Sequence, residues 1–312
     1  MEDTEFQALY ALKMRECEEV LARYLPEAKG EQKTLLEAMN YSLLAGGKRL
    51  RPILMRETFR MLGGRGRVIE PFMAAMEMIH TYSLVHDDLP AMDNDEMRRG
   101  KHTTWYVYGD AMGILAGDGL LNYAFETAMK GFDFAEKKED EPAQAKVYRY
   151  RAVADALRTL AEKAGIYGMI GGQALDVESE KKQYPLSESQ LIFVHKHKTA
   201  ALIEGSMMVG AILAGGSEKT VERIAECAEK IGIAFQIQDD ILDVEGDSAE
   251  LGKNTGSDEK DHKSTYVTIH GMEKAKADVE QLSREARQIL SQIRGDHEFL
   301  EQLVLWLIDR RF

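Results

Sequence analysis

Seven aspartates in two short runs carry the strongest chemical signal in this chain. The first run, "HDDLPAMDNDEMRRG", holds Asp87, Asp88 and Asp93, then Asp95 and Glu96, and at once Arg98 and Arg99, with Lys101 just beyond. The second, "FQIQDDILD", holds Asp239, Asp240 and Asp243. Residues three and four apart share a helix face, so this second trio converges. Carboxylates that close repel one another unless a cation sits among them. A lone run of this kind is often a solvated face. Here Phe235, Ile237, Ile241, Leu242 and Val244 make the segment apolar, so its carboxylates are expected to face a cavity.

Mg2+ suits such acids, because it takes octahedral oxygen ligands from one or two carboxylates plus substrate phosphates. An EF-hand reading of "DNDEMRRG" fails, since Arg98 occupies the glycine position and no glutamate closes the loop. A zinc site fails too: the eight histidines show no HExxH and the cysteines are isolated. Asp87 and Asp93 are six residues apart, about 120° apart on a straight helix. Pro90 lies between them and would distort the backbone ladder. The expectation is a bulged helix that keeps both acids convergent.

Cations lie beside these acids. "GGKRLRP" supplies Lys48, Arg49 and Arg51; "HKHKTAALIEG" supplies Lys196 and Lys198 with Thr199; "LGKNTGSDEKDHKSTY" supplies Lys253 and Lys263. Each alone is an ordinary surface charge. Together they suggest diphosphates gripped by metal on one side and by Arg and Lys on the other.

The elements that must position these groups read as helices. Apolar residues recur at three- and four-residue spacing in "TLLEAMNYSLLAGG", "PFMAAMEMIHTYSLVH" and "AALIEGSMMVGAILAGG". Glycine pairs at 46–47, 63–64 and 215–216 stand where helix C-caps belong. No proline follows Pro185, and alternating strand patterns are scarce. The fold class is therefore all-α, as a single domain spanning 1–312. "MGILAGDGLLNYAFETAM" reads as a central helix buried on most faces. Loops are expected at 63–67, 131–146, 178–187 and 246–262.

A net charge of −13 across 312 residues argues against nucleic acid as a partner. It leaves room for small anions bridged by metal. Two cysteines, Cys17 and Cys227, need no disulfide and point to reduced thiols in the cytoplasm. No cationic signal peptide and no 18-residue uncharged apolar run are visible.

Seven motifs, "GGKRLRP", "HDDLPAMDNDEMRRG", "GILAGDGLL", "GGQALD", "HKTAALI", "FQIQDDILD" and "LGKNTGSD…KSTY", occur in the order seen in trans-isoprenyl diphosphate synthases. The chain resembles that family from about residue 40 to 270. Within the family it is most similar to bacterial short-chain farnesyl diphosphate synthases. The resemblance implies an isoprenoid synthase fold, roughly ten or more helices around a deep cavity, usually as a homodimer. It implies head-to-tail condensation of isopentenyl diphosphate with an allylic diphosphate, with several Mg2+ ions as cofactor. By motif position, Asp87, Asp88 and Asp93 would bind Mg2+ from one wall, and Asp239, Asp240 and Asp243 from the other. Arg98, Lys198, Thr199, Gln236, Lys253 and Lys263 would contact the allylic substrate. Lys48, Arg51, His80 and Arg99 would hold isopentenyl diphosphate.

Tyr82 lies five residues before Asp87, about 7.5 Å along a helix, where a phenol could floor the cavity beside the small Ser83. The family resemblance makes this a chain-length position and the product C15, with geranylgeranyl diphosphate synthase as the alternative. A terpene cyclase or a non-catalytic partner subunit fits less well, since both acidic motifs and "GGKRLRP" stand. His102, Asp110 and Asn254-Thr255 depart from the usual wording without removing an expected ligand.

Overall fold

The structure, a computed structural model, describes residues 3–136, 142–182, 184–245 and 264–309. Its first half runs α1 (Asp3–Tyr24), α2 (Lys33–Leu43), α3 (Leu50–Met61), α4 (Glu70–Asp87), β1 (Met97–Arg98), β2 (Lys101–His102), α5 (Thr104–Tyr108), α6 (Asp110–Met129) and α7 (Gly131–Glu136). Then come α8 (Ala143–Ala164), α9 (Met169–Lys182), α10 (Glu188–Val194), a π-helical segment (His195–Ala200) and α11 (Ala201–Leu213). The remainder is α12 (Glu218–Glu245), α13 (Tyr266–His270), α14 (Met272–Ser291) and α15 (Glu298–Asp309).

Two compact units divide the chain. Glu2–Arg56 and Arg65–Leu157 form one, here the N-terminal unit; Glu57–Gly64 and Arg158–Phe312 form the other, the C-terminal unit.

The N-terminal unit is built on α4. Phe72, Met73, Met76, Met78 and Ile79 are fully buried, and even Glu77 is 1% exposed. Such all-round burial requires a close neighbour, and α6 supplies a face of small residues: Gly113, Ala116, Gly117, Ala124 and Ala128. A Cβ at Gly117 would lie 2.0 Å from His86 Nε2, so only glycine lets the helices meet there. The other side of α6 is not buried as expected: Ile114, Leu115 and Met129 are about half exposed.

In the C-terminal unit α12 is central. Its Ile233, Ile237 and Ile241 join Leu186, Leu191, Val194, Tyr266, Ala275 and Val279 in one apolar cluster. Both cysteines are buried and unpaired by disulfide, and burial pushes the Cys227 thiol up to about 12.

Among the described residues the all-α reading holds, with one small exception. Met97–Arg98 and Lys101–His102 pair as an antiparallel hairpin. Arg99 (φ 54) and Gly100 (φ 73) make its two-residue turn, both left-handed as a type I′ turn requires. Two-residue strands are too short to show an alternating pattern.

Two of the expected glycine caps stand: the Gly64 amide bonds Phe59 O, and the Gly216 amide bonds Ala211 O. The third pair, Gly46-Gly47, lies past the α2 cap, which is Leu44. The expected 131–146 loop is mostly helix, as α7 and the start of α8. Likewise α9 continues to Lys182, leaving only the end of the 178–187 loop. The stretch 246–262 lies outside the described residues. Among the described residues no helix is long and apolar enough to cross a membrane.

Candidate active site

The bulge expected at Pro90 is instead a helix end. α4 stops at Asp87, and Pro90 sits exposed in the turn that follows. Proline drives the preceding residue out of the helical region, so the helix terminates rather than kinking. The turn brings the two backbones together: the Asp93 amide donates to Asp87 O at 2.9 Å. The Met92 and Asn94 amides both return to Leu89 O, with Asn94 left-handed at φ 56. Asp87 is half-buried and Asp93 exposed.

Asp88 behaves differently. It is 3% exposed, and its Oδ1 accepts a 2.5 Å bond from Arg98 Nε. Burial pushes its carboxyl up to about 6, against the pull of that guanidinium. Arg98 Nη2 also lies 3.5 Å from Asp95. The hairpin therefore sends its two arginines apart, Arg98 from the strand onto Asp88 and Arg99 from the turn onto the "GGKRLRP" loop. There Arg99 donates to Gly46 O and covers Gly47. A cavity of about 30 Å3, room for a water or two, adjoins Asp88, Arg98, Arg99 and Thr81.

The "GGKRLRP" loop is pinned from inside. Tyr10 Oη donates to Lys48 O at 2.5 Å. Arg49 is 3% exposed and left-handed at φ 48, a costly conformation for a non-glycine residue. Its guanidinium secures the strain, donating to Glu77 Oε1 at 2.8 Å and to Leu43 O at 2.9 Å. Nearby, His80 is held well below its ordinary value, first by burial, then by the positive fields of Arg51, Arg99, Arg98 and Arg49. A neutral imidazole among four guanidiniums marks an electropositive region within the N-terminal unit.

The C-terminal unit holds the other groups. Lys198 and Thr199 sit in the π-helical segment, a widened turn often found at functional sites. Two glycines back it: a Cβ at Gly172 would lie 2.2 Å from the Lys198 amide, and one at Gly232 would lie 2.3 Å from Ala200 Cβ. Lys198 pairs with Asp176 of α9. Thr199 Oγ1 donates to Gln236 Oε1 at 2.7 Å, and Gln236 Nε2 donates to Asp240 Oδ1 at 3.2 Å. Asp240 Oδ2 accepts the Tyr266 amide at 2.7 Å, with His195 Nε2 3.6 Å away. Burial pushes His195 down to about 4, so it is neutral there. Asp239 and Asp243 are half-buried, whereas Asp240 is 5% exposed.

A family model, polyprenyl synthetase, matches residues 32–304 and so runs through both units. The chain belongs to the polyprenyl synthetase family. It is 46% identical over 259 residues to the farnesyl diphosphate synthase of Geobacillus stearothermophilus, covering 83% of this chain and 82% of that one. It is 40% identical over 301 residues to the farnesyl diphosphate synthase of Escherichia coli (strain K12), covering 95% and 96%. Geranylgeranyl diphosphate synthases occur among the relatives as well. A solved geranyltransferase from Helicobacter pylori, complexed with magnesium and isoprenyl diphosphate, aligns over 99% of this chain and 98% of its own. Its TM-score is 0.79, at 30% identity. The chain is accordingly a prenyltransferase.

Of the residues read from sequence in this polyprenyl synthetase, Lys253 and Lys263 lie outside the described residues. Asp87, Asp88, Asp93, Arg98, Arg99, Lys48, Arg51, His80, Tyr82 and Ser83 belong to the N-terminal unit. Lys198, Thr199, Gln236, Asp239, Asp240 and Asp243 belong to the C-terminal unit. Tyr82 is buried, edge-on to His86, and its hydroxyl has no hydrogen-bond partner among the described residues. Ser83 is half-buried, and its hydroxyl donates to His80 O.

Sequence reading named Arg49 among the cations but missed Glu77 and Asp176, which reach Arg49 and Lys198 from other helices. The glycines of "GGQALD" were a signal for the close approach at Gly172. The donor set of both acidic motifs is oxygen throughout, with Asp87, Asp239 and Asp243 half-buried and Asp93 exposed. That chemistry fits a hard divalent ion whose shell phosphate and water complete. Among the described residues no three such side chains form a closed metal cage.

Proposed function

We propose that this prenyltransferase is a farnesyl diphosphate synthase, joining isopentenyl diphosphate head to tail with dimethylallyl and then geranyl diphosphate and releasing pyrophosphate. One observation carries the reading: Arg99 turns onto the "GGKRLRP" loop that carries Lys48 and Arg51, donating to Gly46 O, while Arg98 turns away onto Asp88. Clustered guanidiniums of this kind suit a diphosphate, and a second, non-ionising substrate needs such a site apart from the metal. The relatives named above support the C15 product.

In this reading Lys48, Arg51, His80 and Arg99 hold isopentenyl diphosphate. Arg98, Lys198, Thr199, Gln236, Lys253 and Lys263 contact the allylic substrate. Of the six aspartates expected at Mg2+, Asp87 and Asp93 of the first motif and Asp239 and Asp243 of the second hold it in this reading, because Asp88 is turned to Arg98 and Asp240 to Gln236 and Tyr266. The magnesium in the Helicobacter pylori structure supports that choice of ion. Bound Mg2+ offsets negative charge on the departing pyrophosphate. The chain's own cations do the same, through groups already fixed in place. The allylic C–O bond breaks to leave a delocalised cation and pyrophosphate. The isopentenyl alkene then forms the new C–C bond, and a proton leaves to the pyrophosphate. No nucleophilic side chain is required. The half-exposed Ile114, Leu115 and Met129 on α6 support a homodimer, and the absence of an apolar span among the described helices is compatible with the cytoplasm.

Product analysis tests this directly: purified protein, isopentenyl diphosphate, dimethylallyl or geranyl diphosphate and Mg2+, with products dephosphorylated and separated by length. A single C15 alcohol is expected. A C20 alcohol would favour a geranylgeranyl diphosphate synthase. Cyclic hydrocarbon would point to a cyclase, and no turnover by folded protein to a partner subunit. Tyr82→Ala should lengthen the product, and an unchanged length distribution would remove Tyr82 as the floor.

A further inference from the structure

Asp240 is the one member of its motif turned into the protein. It is 5% exposed, while Asp239 and Asp243, on the same helix, are half-buried. Both its oxygens accept hydrogen bonds from the chain, Oδ1 from Gln236 Nε2 at 3.2 Å and Oδ2 from the Tyr266 amide at 2.7 Å. Tyr266 opens α13, so its amide is one of the donors that a helix start leaves without an intrahelical partner. A carboxylate reaching across 26 residues of sequence caps it.

The chemistry of these groups fixes a direction. An ionised carboxylate only accepts, so Gln236 must turn its NH2 towards Asp240. Its carbonyl oxygen then faces Thr199, and the Thr199 hydroxyl donates to it at 2.7 Å. The chain of bonds therefore runs from Thr199 through Gln236 to Asp240, with Tyr266 donating from the far side. Reversing any link would set two donors or two acceptors against each other.

We propose that Asp240 is a positioning residue: by accepting from both Gln236 and the Tyr266 amide, it fixes the polarity of the Thr199–Gln236 pair that meets the allylic diphosphate. The inference rests on the reading above that Thr199 and Gln236 meet that group. It separates Asp240 from Asp239 and Asp243, which that reading assigns to metal.

Three variants test it: Asp239→Ala, Asp240→Ala and Asp240→Asn. Asparagine offers one acceptor, which the Tyr266 amide takes, and presents its NH2 to Gln236. Gln236 must then flip, and Thr199 becomes an acceptor while the fold is kept. In metal-free protein, Asp240→Ala should lower Tm by about 5 °C, and Asp240→Asn by less. With metal, Asp239→Ala should raise the Mg2+ concentration for half-maximal rate about tenfold or more, and Asp240→Asn should leave it within twofold. Asp240→Asn should raise KM for geranyl diphosphate about tenfold and leave KM for isopentenyl diphosphate within twofold. A Mg2+ shift in Asp240→Asn as large as that of Asp239→Ala would make Asp240 a metal ligand and overturn the proposal. So would a fall in Tm with both KM values unmoved, which is a structural role alone. Failure of the functional reading is a separate result, seen in wild-type protein that makes no prenyl product. In that case the metal-free melting order of the two Asp240 variants still decides whether the carboxylate braces α13, and equal Tm values would overturn the inference.

Discussion

The two acidic motifs share a pattern and solve it with different chemistry. In each, the middle aspartate is buried and committed to the chain while its neighbours are more open. Asp88 is answered by a guanidinium from a surface hairpin, a single charged partner with one 2.5 Å bond. Asp240 is answered by neutral amides, one of them the backbone of a helix start. The difference follows from local structure. The first motif lies where α4 ends and the chain turns, so an arginine ten residues on can fold back to it. The second lies inside α12, where Gln236 reaches it from the same helix, Tyr266 from α13, and His195 approaches from the π-helical segment. An ion pair at a hairpin can be altered locally. An acceptor built into helix packing cannot be altered without moving its neighbours.

The largest effect should appear where the motifs do the same work. Asp87→Ala and Asp239→Ala should each lower kcat about 10²–10³-fold. Chelation should abolish turnover until Mg2+ is restored, and an activity indifferent to EDTA would sink the metal reading. The next contrast concerns what holds each cation. Arg49→Ala leaves Glu77 buried without its guanidinium and should cost about 3–5 kcal/mol in chemical denaturation. An unchanged denaturation midpoint would show that the pair is not what holds the "GGKRLRP" loop.

In the C-terminal unit, Gly232→Ala forces a methyl to within 2.3 Å of Ala200 Cβ and 2.5 Å of its Cα. Neither atom can rotate away, so a loss of about 1–3 kcal/mol is expected, with reduced affinity for the allylic substrate. Wild-type melting and affinity would mean the π-helical segment is not held by that contact. The smallest effect belongs to Asp88→Asn. Burial already disfavours its ionised form, so losing the charge should change stability by about 1 kcal/mol or less. It should still weaken allylic binding a few-fold through Arg98. A loss as large as that of Asp240→Ala would erase the distinction between the motifs.

Much of this was legible from sequence because the groups that do chemistry cluster in it. The acids, "GGKRLRP" and the helical periodicity all lie within short windows. What escaped the sequence was support from afar. Glu77 is 28 residues from Arg49, and Asp176 is 22 from Lys198; nothing local marks either as a partner. The hairpin escaped because two-residue strands have no period. Pro90 was placed correctly between the acids but misread as interrupting a helix that had already ended. The π-helical segment has no compositional mark, since its extra residue shows only when α9 and α12 are packed against it.

The burial of Cys17 and Cys227 has a practical consequence. With both sulfurs fully enclosed and burial raising the Cys227 thiol above its ordinary value, this chain is close to silent toward alkylating reagents while folded. A cysteine introduced at an exposed position of the first motif, such as Glu96, would then be the single reactive thiol, so a fluorophore or spin label can report on that turn without removing either native residue.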